Sequence, residues 1–376
     1  MDGAISVGDG IFRIPVPITG NPLGNTLIYV LESPGGIVLI DAGWYDDNAW
    51  DGLTAGLAAI GHSVNDVEGV VLTHFHPDHS GLCGRVREAS GAWIAMHEAD
   101  HDLFAGMTAD RDETWMAAQK ENLAQAGAPH ADVTAYELAV NEETRVSRDS
   151  APDRTLADDE RIALTGRDLR AIHTPGHTPG HVCFYLEDAD VMFTGDHILQ
   201  KTTPHVGSFV YPLEERDALA EFTDSLRRVQ SMNVTRGLGA HGLPLDDVAG
   251  RAAFLIKHHE ERLDHLYSAF GDDQITVWEV AARMKWYKPW AEISPLGKNM
   301  ALSEAAAHLR HLVARDLIVQ LPGGEPARFA RRRGAAHRPA DTSVAADDKP
   351  SSTGTGFRRP PDSGNARRGT DIVRSP

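Results

Sequence analysis

Thr73-His74-Phe75-His76-Pro77-Asp78-His79 gathers three histidines and an aspartate into six residues, directly after the apolar run Val70-Val71-Leu72. A continuous apolar run of that length reads as a buried strand. Four groups able to bind a cation therefore stand at the end of a rigid element, a spacing with no ordinary packing role. The fold has to deliver further ligands to the same place from elsewhere in the chain.

Three later segments offer them: His-Thr-Pro-Gly-His-Thr-Pro-Gly-His over His173 to His181, Phe-Thr-Gly-Asp-His over Phe193 to His197, and Gly-Ala-His-Gly over Gly239 to Gly242. Each follows or closely precedes a strand-like run, which places it in a loop at a sheet edge, where a scaffold presents ligands. Imidazole and carboxylate suit zinc, iron or manganese in an open catalytic site. A pair of such cations needs a bridging carboxylate and terminal ligands on each side. His74 and His76 alternate on an extended segment and can face one way, while Asp78 and His79 follow the turn at Pro77 and can address a second position.

At 376 residues the chain has room for two domains and a tail. Apolar content of 41% against 24% charged is that of a globular protein with a sizeable core. Short β-branched runs at Ile11 to Ile18, Thr26 to Leu31 and Gly36 to Asp41, separated by Gly, Pro and Asn, predict strands. Trp44 to Ile60 predicts a helix, Val67 to Leu72 a strand, Gly81 to Ala89 a helix and Trp93 to Met96 a strand. Between about Asp110 and Asp153 the chain turns polar and alanine-rich, which predicts a helical insertion beside the site. Strand signals return from Arg161, so the second half repeats the rhythm of the first. Beyond about Arg251 come helix, helix, helix and a hairpin around Pro322-Gly323-Gly324, the order of a winged helix-turn-helix. After Arg333 the composition of Pro, Gly, Ser and Arg predicts disorder.

With these motifs in this order the chain resembles the metallo-β-lactamase fold superfamily. The H-x-H-x-D-H hallmark stands at His74 to His79, the third histidine matches His177, the bridging aspartate of T-G-D matches Asp196, and the final ligand matches His241. Gly239 and Ala240 replace the proline and glycine that usually precede that last ligand. The resemblance spans about residues 8 to 260. It implies an α/β fold of four αββα layers over residues 1–255, to which the composition and element order above add the helical insertion at about 110–153, a small winged-helix-like domain at 256–333 and a tail at 334–376. It also implies two divalent metal ions, zinc in first place with iron or manganese as alternatives. His74, His76 and His177 would hold the first ion, Asp78, His79 and His241 the second, and Asp196 would bridge them. Asp78 would double as the catalytic residue that orients the attacking hydroxide. His173 and His181 fall outside this set, His181 as an orienting residue, while His197 and His205 are candidates for the substrate side.

The implied reaction is hydrolysis of an ester, thioester or related small-molecule bond. Secreted lactamases of this fold carry a signal peptide and use cysteine or serine at or near the bridging position, so Asp196 makes the chain look like the glyoxalase II-type and nuclease-type branches instead. The C-terminal segment, through His258-His259-Glu260-Glu261-Arg262, Thr276 to Val280 and Ala306 to Leu309, is similar to hydrolases related to the mitochondrial endoribonuclease. Metal-dependent ribonuclease or phosphodiesterase activity is thus the alternative, and a nucleic-acid-binding protein with a vestigial hydrolase domain is the reading from another class. Persulfide dioxygenases use only part of the ligand set.

A formal charge of −18 argues against strong nonspecific attraction to nucleic acid or anionic membranes. The expected partner is a small-molecule substrate, with RNA as the alternative, no membrane, and a homodimer as the commonest soluble assembly. Cys83 and Cys183 form no CxxC and read as small buried hydrophobes. The N-terminus lacks a basic and apolar leader, and no apolar run reaches membrane-spanning length, which predicts a cytoplasmic protein. Trp115, Tyr211 and Trp278 are candidate pocket aromatics.

Overall fold

Alternate residues of the central strands go to different cores, and this period of two sets the layering. In the computed structural model, residues 3–109, 113–140, 150–208, 215–271 and 273–334 are described. Strand β4 (Gly36–Ile40) sends Ile37 and Leu39 to one cluster and Val38 and Ile40 to another. β3 (Asn25–Ser33) does the same with Ile28 and Val30 against Leu27, Tyr29 and Leu31. A strand buried on both faces must lie between two layers.

The first sheet has seven strands in chain order. β1 (Ile5–Gly8), β2 (Ile11–Pro17), β3 and β4 are antiparallel neighbours. β4, β5 (Val67–Val71), β6 (Trp93–His97) and β7 (Arg154–Leu156) then run parallel. The second sheet orders its five strands β12-β11-β10-β9-β8. These are β8 (Arg161–Leu164), β9 (Arg167–His173), β10 (Val182–Leu186), β11 (Val191–Gly195) and β12 (Arg236–Gly239). The inner faces meet in one apolar layer that includes Ile11, Leu31 and Val38 from one sheet and Leu169, Phe184 and Phe193 from the other.

Helices close the outside. α1 (Asp47–Ala59) and α3 (Cys83–Ser90) cover the first sheet through Ala49, Leu53, Leu57 and Val86. Asp46 caps α1 by accepting the Ala49 amide. On the far side α7 (Ala218–Met232) and α8 (Val248–Ala269) pack on Ile172, Cys183 and Met192. The arrangement is helices, sheet, sheet, helices, the α/β order expected from the sequence.

The short helix α2 (Pro77–Ser80), with proline at its start, carries part of the histidine cluster. Helical structure beside the site begins earlier than expected, with α4 (Glu98–Ala109), and continues in α5 (Glu113–Gln125) and α6 (His130–Ala139). The rest of the expected insertion, 110–112 and 141–149, and the tail from 335 onward lie outside the described residues. The C-terminal elements are α9 (Val277–Arg283), α10 (Pro295–Ala314), β13 (Ile318–Gln320) and β14 (Phe329–Arg331). The expected boundary at 255 falls inside the continuous helix α8, and one cluster joins Ala252 and Leu255 to Leu309 and Phe329.

The C-terminal ends of β4 and β5 share an edge because those strands are parallel, and β11 and β12 are parallel likewise. β9 runs with β11 because β10 lies antiparallel between them. Val182 N donates to Thr73 O at 2.8 Å and Leu27 N to Ala240 O at 2.7 Å, which stitches the two sheets together at that edge.

Candidate metal centre

All seven residues singled out by the motifs arrive at this edge. His74 and His76 follow β5, Asp78 and His79 sit on α2, His177 lies in the turn between β9 and β10, Asp196 follows β11 and His241 follows β12. His177 Nε2 is 3.2 Å from His74 Nε2 and 3.1 Å from His76 Nδ1, and His74 Nε2 is 2.9 Å from His76 Nδ1. Asp196 stands between this group and the next: Oδ2 is 3.9 Å from His177 Nε2 and 3.8 Å from His79 Nε2, and Oδ1 is 3.4 Å from His241 Nε2. Asp78 Oδ2 is 3.4 Å from His241 Nε2 and 3.6 Å from His79 Nε2. Each of the groups His74-His76-His177, His74-His79-Asp196 and Asp78-His79-His241 keeps its ligand atoms within 4.8 Å of one another.

The outward nitrogen of four of the five rings is already committed, which fixes their orientation. His177 Nδ1 donates to His205 O at 2.7 Å and His241 Nδ1 to Asn25 O at 2.8 Å. His79 Nδ1 donates to Asp41 Oδ2 at 2.8 Å. Thr73 Oγ1 gives its proton to Asp41, so its lone pair receives His74 Nδ1 at 3.0 Å. Four rings thereby turn Nε2 inward. His79 Nε2, Asp196 Oδ1 and His241 Nε2 are buried with no hydrogen-bond partner. A buried polar atom costs free energy when unpaired, and the facing nitrogens of His74, His76 and His177, 2.9–3.2 Å apart, repel through their lone pairs unless a cation lies among them. The donor set therefore fits divalent metal.

Charge follows the same division. Burial holds His74 and His76 well below the ordinary imidazole value, with neighbouring histidines adding to it, and takes His177 to about 4. Burial also opposes charge on His79, but the carboxylates of Asp78, Asp41 and Asp196 outweigh it and raise the ring well above its usual value. At Asp78 the charges on His79 and His241 overcome burial and hold the carboxyl at about 2, and the same two rings hold Asp196 lower still. One half of the site is neutral and the other is an ionised cluster.

Several residues at the site carry no motif. Asp41, in left-handed backbone at φ 63°, accepts the Thr73 amide at 2.8 Å besides the contacts above. Asp100 on α4 accepts Phe75 N at 3.2 Å, Thr178 Oγ1 at 2.7 Å and Gly180 N at 2.6 Å, tying the two histidine loops together. Burial pushes its carboxyl up to about 6 in spite of those donors. Phe222 and Ser225 of α7 back the His177 turn: Ser225 Oγ donates to Pro175 O at 2.9 Å, and a Cβ on Gly176, at φ +135°, would lie 2.4 Å from the Phe222 backbone. Only glycine fits that approach.

The remaining candidates separate. His181 is buried, receives the Asp196 amide on Nε2 at 3.2 Å and donates from Nδ1 to Thr174 Oγ1 at 2.9 Å, an orienting role as expected. His173 stacks on His97 at 3.8 Å, away from the ligands. His197 is a correction: it is fully buried between His181 and Phe222 and cannot meet substrate. Trp278 contacts Trp290 and Lys298 among the C-terminal helices, whereas the Tyr211 backbone and the Trp115 side chain lie outside what is described. The Ala240 departure leaves the last ligand anchored, because Ala240 N donates to Gly195 O at 3.0 Å.

Comparison with known proteins agrees with this geometry. The family model of the metallo-beta-lactamase superfamily matches residues 21–241. A crystal structure of a metallo-beta-lactamase family protein from Thermus thermophilus superposes with a TM-score of 0.71 at 30% identity, over 87% of this chain and 100% of that one. The lactamase-like protein aptB of Emericella nidulans is 31% identical over 36% of this chain and 41% of its own length. An atrochrysone carboxyl ACP thioesterase of Aspergillus fumigatus is 25% identical over 66% of this chain and 62% of its own length. This chain thus spans less than two thirds of either fungal relative. No helix among the described residues is long and apolar enough to cross a membrane. The chain belongs to the metallo-beta-lactamase superfamily.

Proposed function

We propose that the protein is a dinuclear metallohydrolase, with zinc at both positions, that cleaves a thioester or ester of a small acyl substrate. The observation that carries this reading is the place of Asp196, whose two oxygens face His177 and His79 on one side and His241 on the other. A carboxylate so placed suits a bridge between two cations. Bound metal supplies a water acidified towards neutral pH and an electrophile for the acyl oxygen. Asp78, with its side chain 16% exposed and its carboxyl ionised, accepts a hydrogen bond from the attacking water and holds it in line. His79 and His241 keep that carboxylate charged, and the carbonyls of His205 and Asn25 hold the rings of His177 and His241.

The thioester preference draws support from the thioesterase among the fungal relatives. The C-terminal helices and hairpin follow the order of a winged helix, which we read as a wall of the site and not a reader of nucleic acid. α10, its recognition helix by position, buries Leu302, Ala305, Ala306, Leu309 and Leu312, so those residues cannot enter a groove. Metal content per chain, measured with a hydrolysis screen of thioesters, esters, lactones and RNA, tests the reading. Two equivalents with thioester or ester turnover are expected, and Asp196→Asn should abolish turnover in a folded chain. Turnover of RNA alone would replace this reading by the nuclease one.

A further inference from the structure

The C-terminal helix α10 holds the backbone that orients a metal ligand. His177 Nδ1 donates to the carbonyl of His205, in a segment outside any helix or strand, where Pro204, Val206, Gly207 and Ser208 are buried. That segment is fastened to α10 by three hydrogen bonds. His205 Nε2 donates to Met300 O at 3.1 Å, Ser208 N to Ser303 O at 3.1 Å, and Ser303 Oγ to Ser208 O at 2.7 Å. The approach is close enough that a Cβ on Gly207 would lie 2.2 Å from Ser303 Oγ.

α10 is itself clamped from three sides. Glu304 pairs with Arg262 of α8 at 2.8 Å, His311 with Asp217 at the start of α7 at 2.9 Å, and Lys298 with Asp132 of α6 at 2.6 Å. A shift of α10 would therefore move the His205 carbonyl, and with it the angle at which His177 Nε2 faces His74 and His76. The opposite group does not depend on this path, because His79 and His241 are oriented by Asp41 and by the Asn25 carbonyl.

We propose that His205 and Ser303 are positioning residues for the metal held by His74, His76 and His177, so that the C-terminal module sets the affinity of one metal position selectively. The inference rests on the metal reading above. It assigns the module a duty at the metal centre that needs no nucleic acid.

The test uses the full-length holoprotein with His205→Ala, His205→Gln and the gentler Ser303→Ala. Affinities for two equivalents of zinc are read by chelator competition, and the cobalt-substituted proteins by visible absorption. His205→Ala and Ser303→Ala should each weaken one equivalent by about 10-fold, the lower end of the effect of losing a group that orients a ligand. The other equivalent should hold, and the cobalt bands should shift. His205→Gln, whose amide can donate where Nε2 did, should restore most of the loss. Wild-type affinities and an unchanged cobalt spectrum in folded His205→Ala and Ser303→Ala would overturn the proposal. Equal weakening of both equivalents with a fall in melting temperature would also overturn it, since that reports general loosening. A wild-type chain that binds no zinc would overturn the metal reading itself, and the inference with it.

Discussion

Asp41 Oδ2 lies 2.8 Å from His79 Nδ1, across 38 residues of sequence, and the same buried carboxylate takes the amide and hydroxyl of Thr73. One anion thus sets the tautomer of a ligand on α2 and the start of the loop that carries His74. Asp41→Asn keeps the shape but loses the charge and part of the accepting capacity. Affinity for one metal equivalent should fall by about 10- to 100-fold, as measured by elemental analysis after dialysis against graded chelator.

Metal uptake should release protons. The carboxylates around His79 raise its ring well above the ordinary value despite burial, so the metal-free ring carries a proton on the nitrogen that faces the site. That proton must leave when a cation binds. Titration of apoprotein with zinc at pH 7 in weak buffer should liberate about one proton per chain from this ring, and affinity should drop as pH falls. A calorimetric heat independent of the buffer's ionisation enthalpy would contradict this.

Asp100→Ala should loosen both histidine loops together. It strips the acceptor from Phe75 N, Thr178 Oγ1 and Gly180 N, all buried. An unsatisfied buried donor costs about 1–3 kcal/mol, and relaxation will recover part of that, so a loss of about 2–4 kcal/mol is expected in urea denaturation. Metal content should fall with it.

The contact between α8 and α10 should weaken in acid. His308 Nδ1 donates to Glu304 O, so its Nε2 is the acceptor for His259 Nδ1 at 3.3 Å and that ring must be neutral, while a proton on His259 Nε2 would be buried without an acceptor. Burial takes His308 down to about 3, with the Arg262 charge adding to it, and lowers His259 well below its usual value, with His308, His258, Arg262 and His311 adding to it. The unfolded chain binds these protons first. The stabilisation is therefore complete above about pH 6.5 and is lost as pH falls below it, by about 1.4 kcal/mol per pH unit for each ring. Urea midpoints at pH 7 and pH 5 should differ accordingly, and His308→Gln should reduce the difference by the share of that ring, the other buried histidines keeping theirs.

The candidate ligands were legible because metal chemistry restricts them to a few residue types at short spacings, and because the family resemblance picks out which of the clustered histidines belong to the set. His74 to His79, His177, Asp196 and His241 could each be read from a loop beside an apolar run. Strands β2 to β6 and β8 to β11 announced themselves through short apolar runs bounded by turn residues. α7, which no sequence expectation covers, also carries a readable signal, since Leu219, Phe222, Leu226 and Val229 recur at helical spacing and are buried. His197 misled for a local reason: it follows a ligand, yet the turn after β11 aims its ring into the core.

Sequence alone determined which side chains can hold metal and the alternation that sandwiches two sheets between helices, because both depend on residue type and short-range period. Tertiary structure decided what orients those side chains. Asp41, Asp100 and the carbonyls of Asn25 and His205 act through hydrogen bonds across long separations, and a backbone carbonyl has no residue type to betray it. The union of the C-terminal helices with the core was likewise decided by packing, since α8 continues unbroken through the boundary expected at 255.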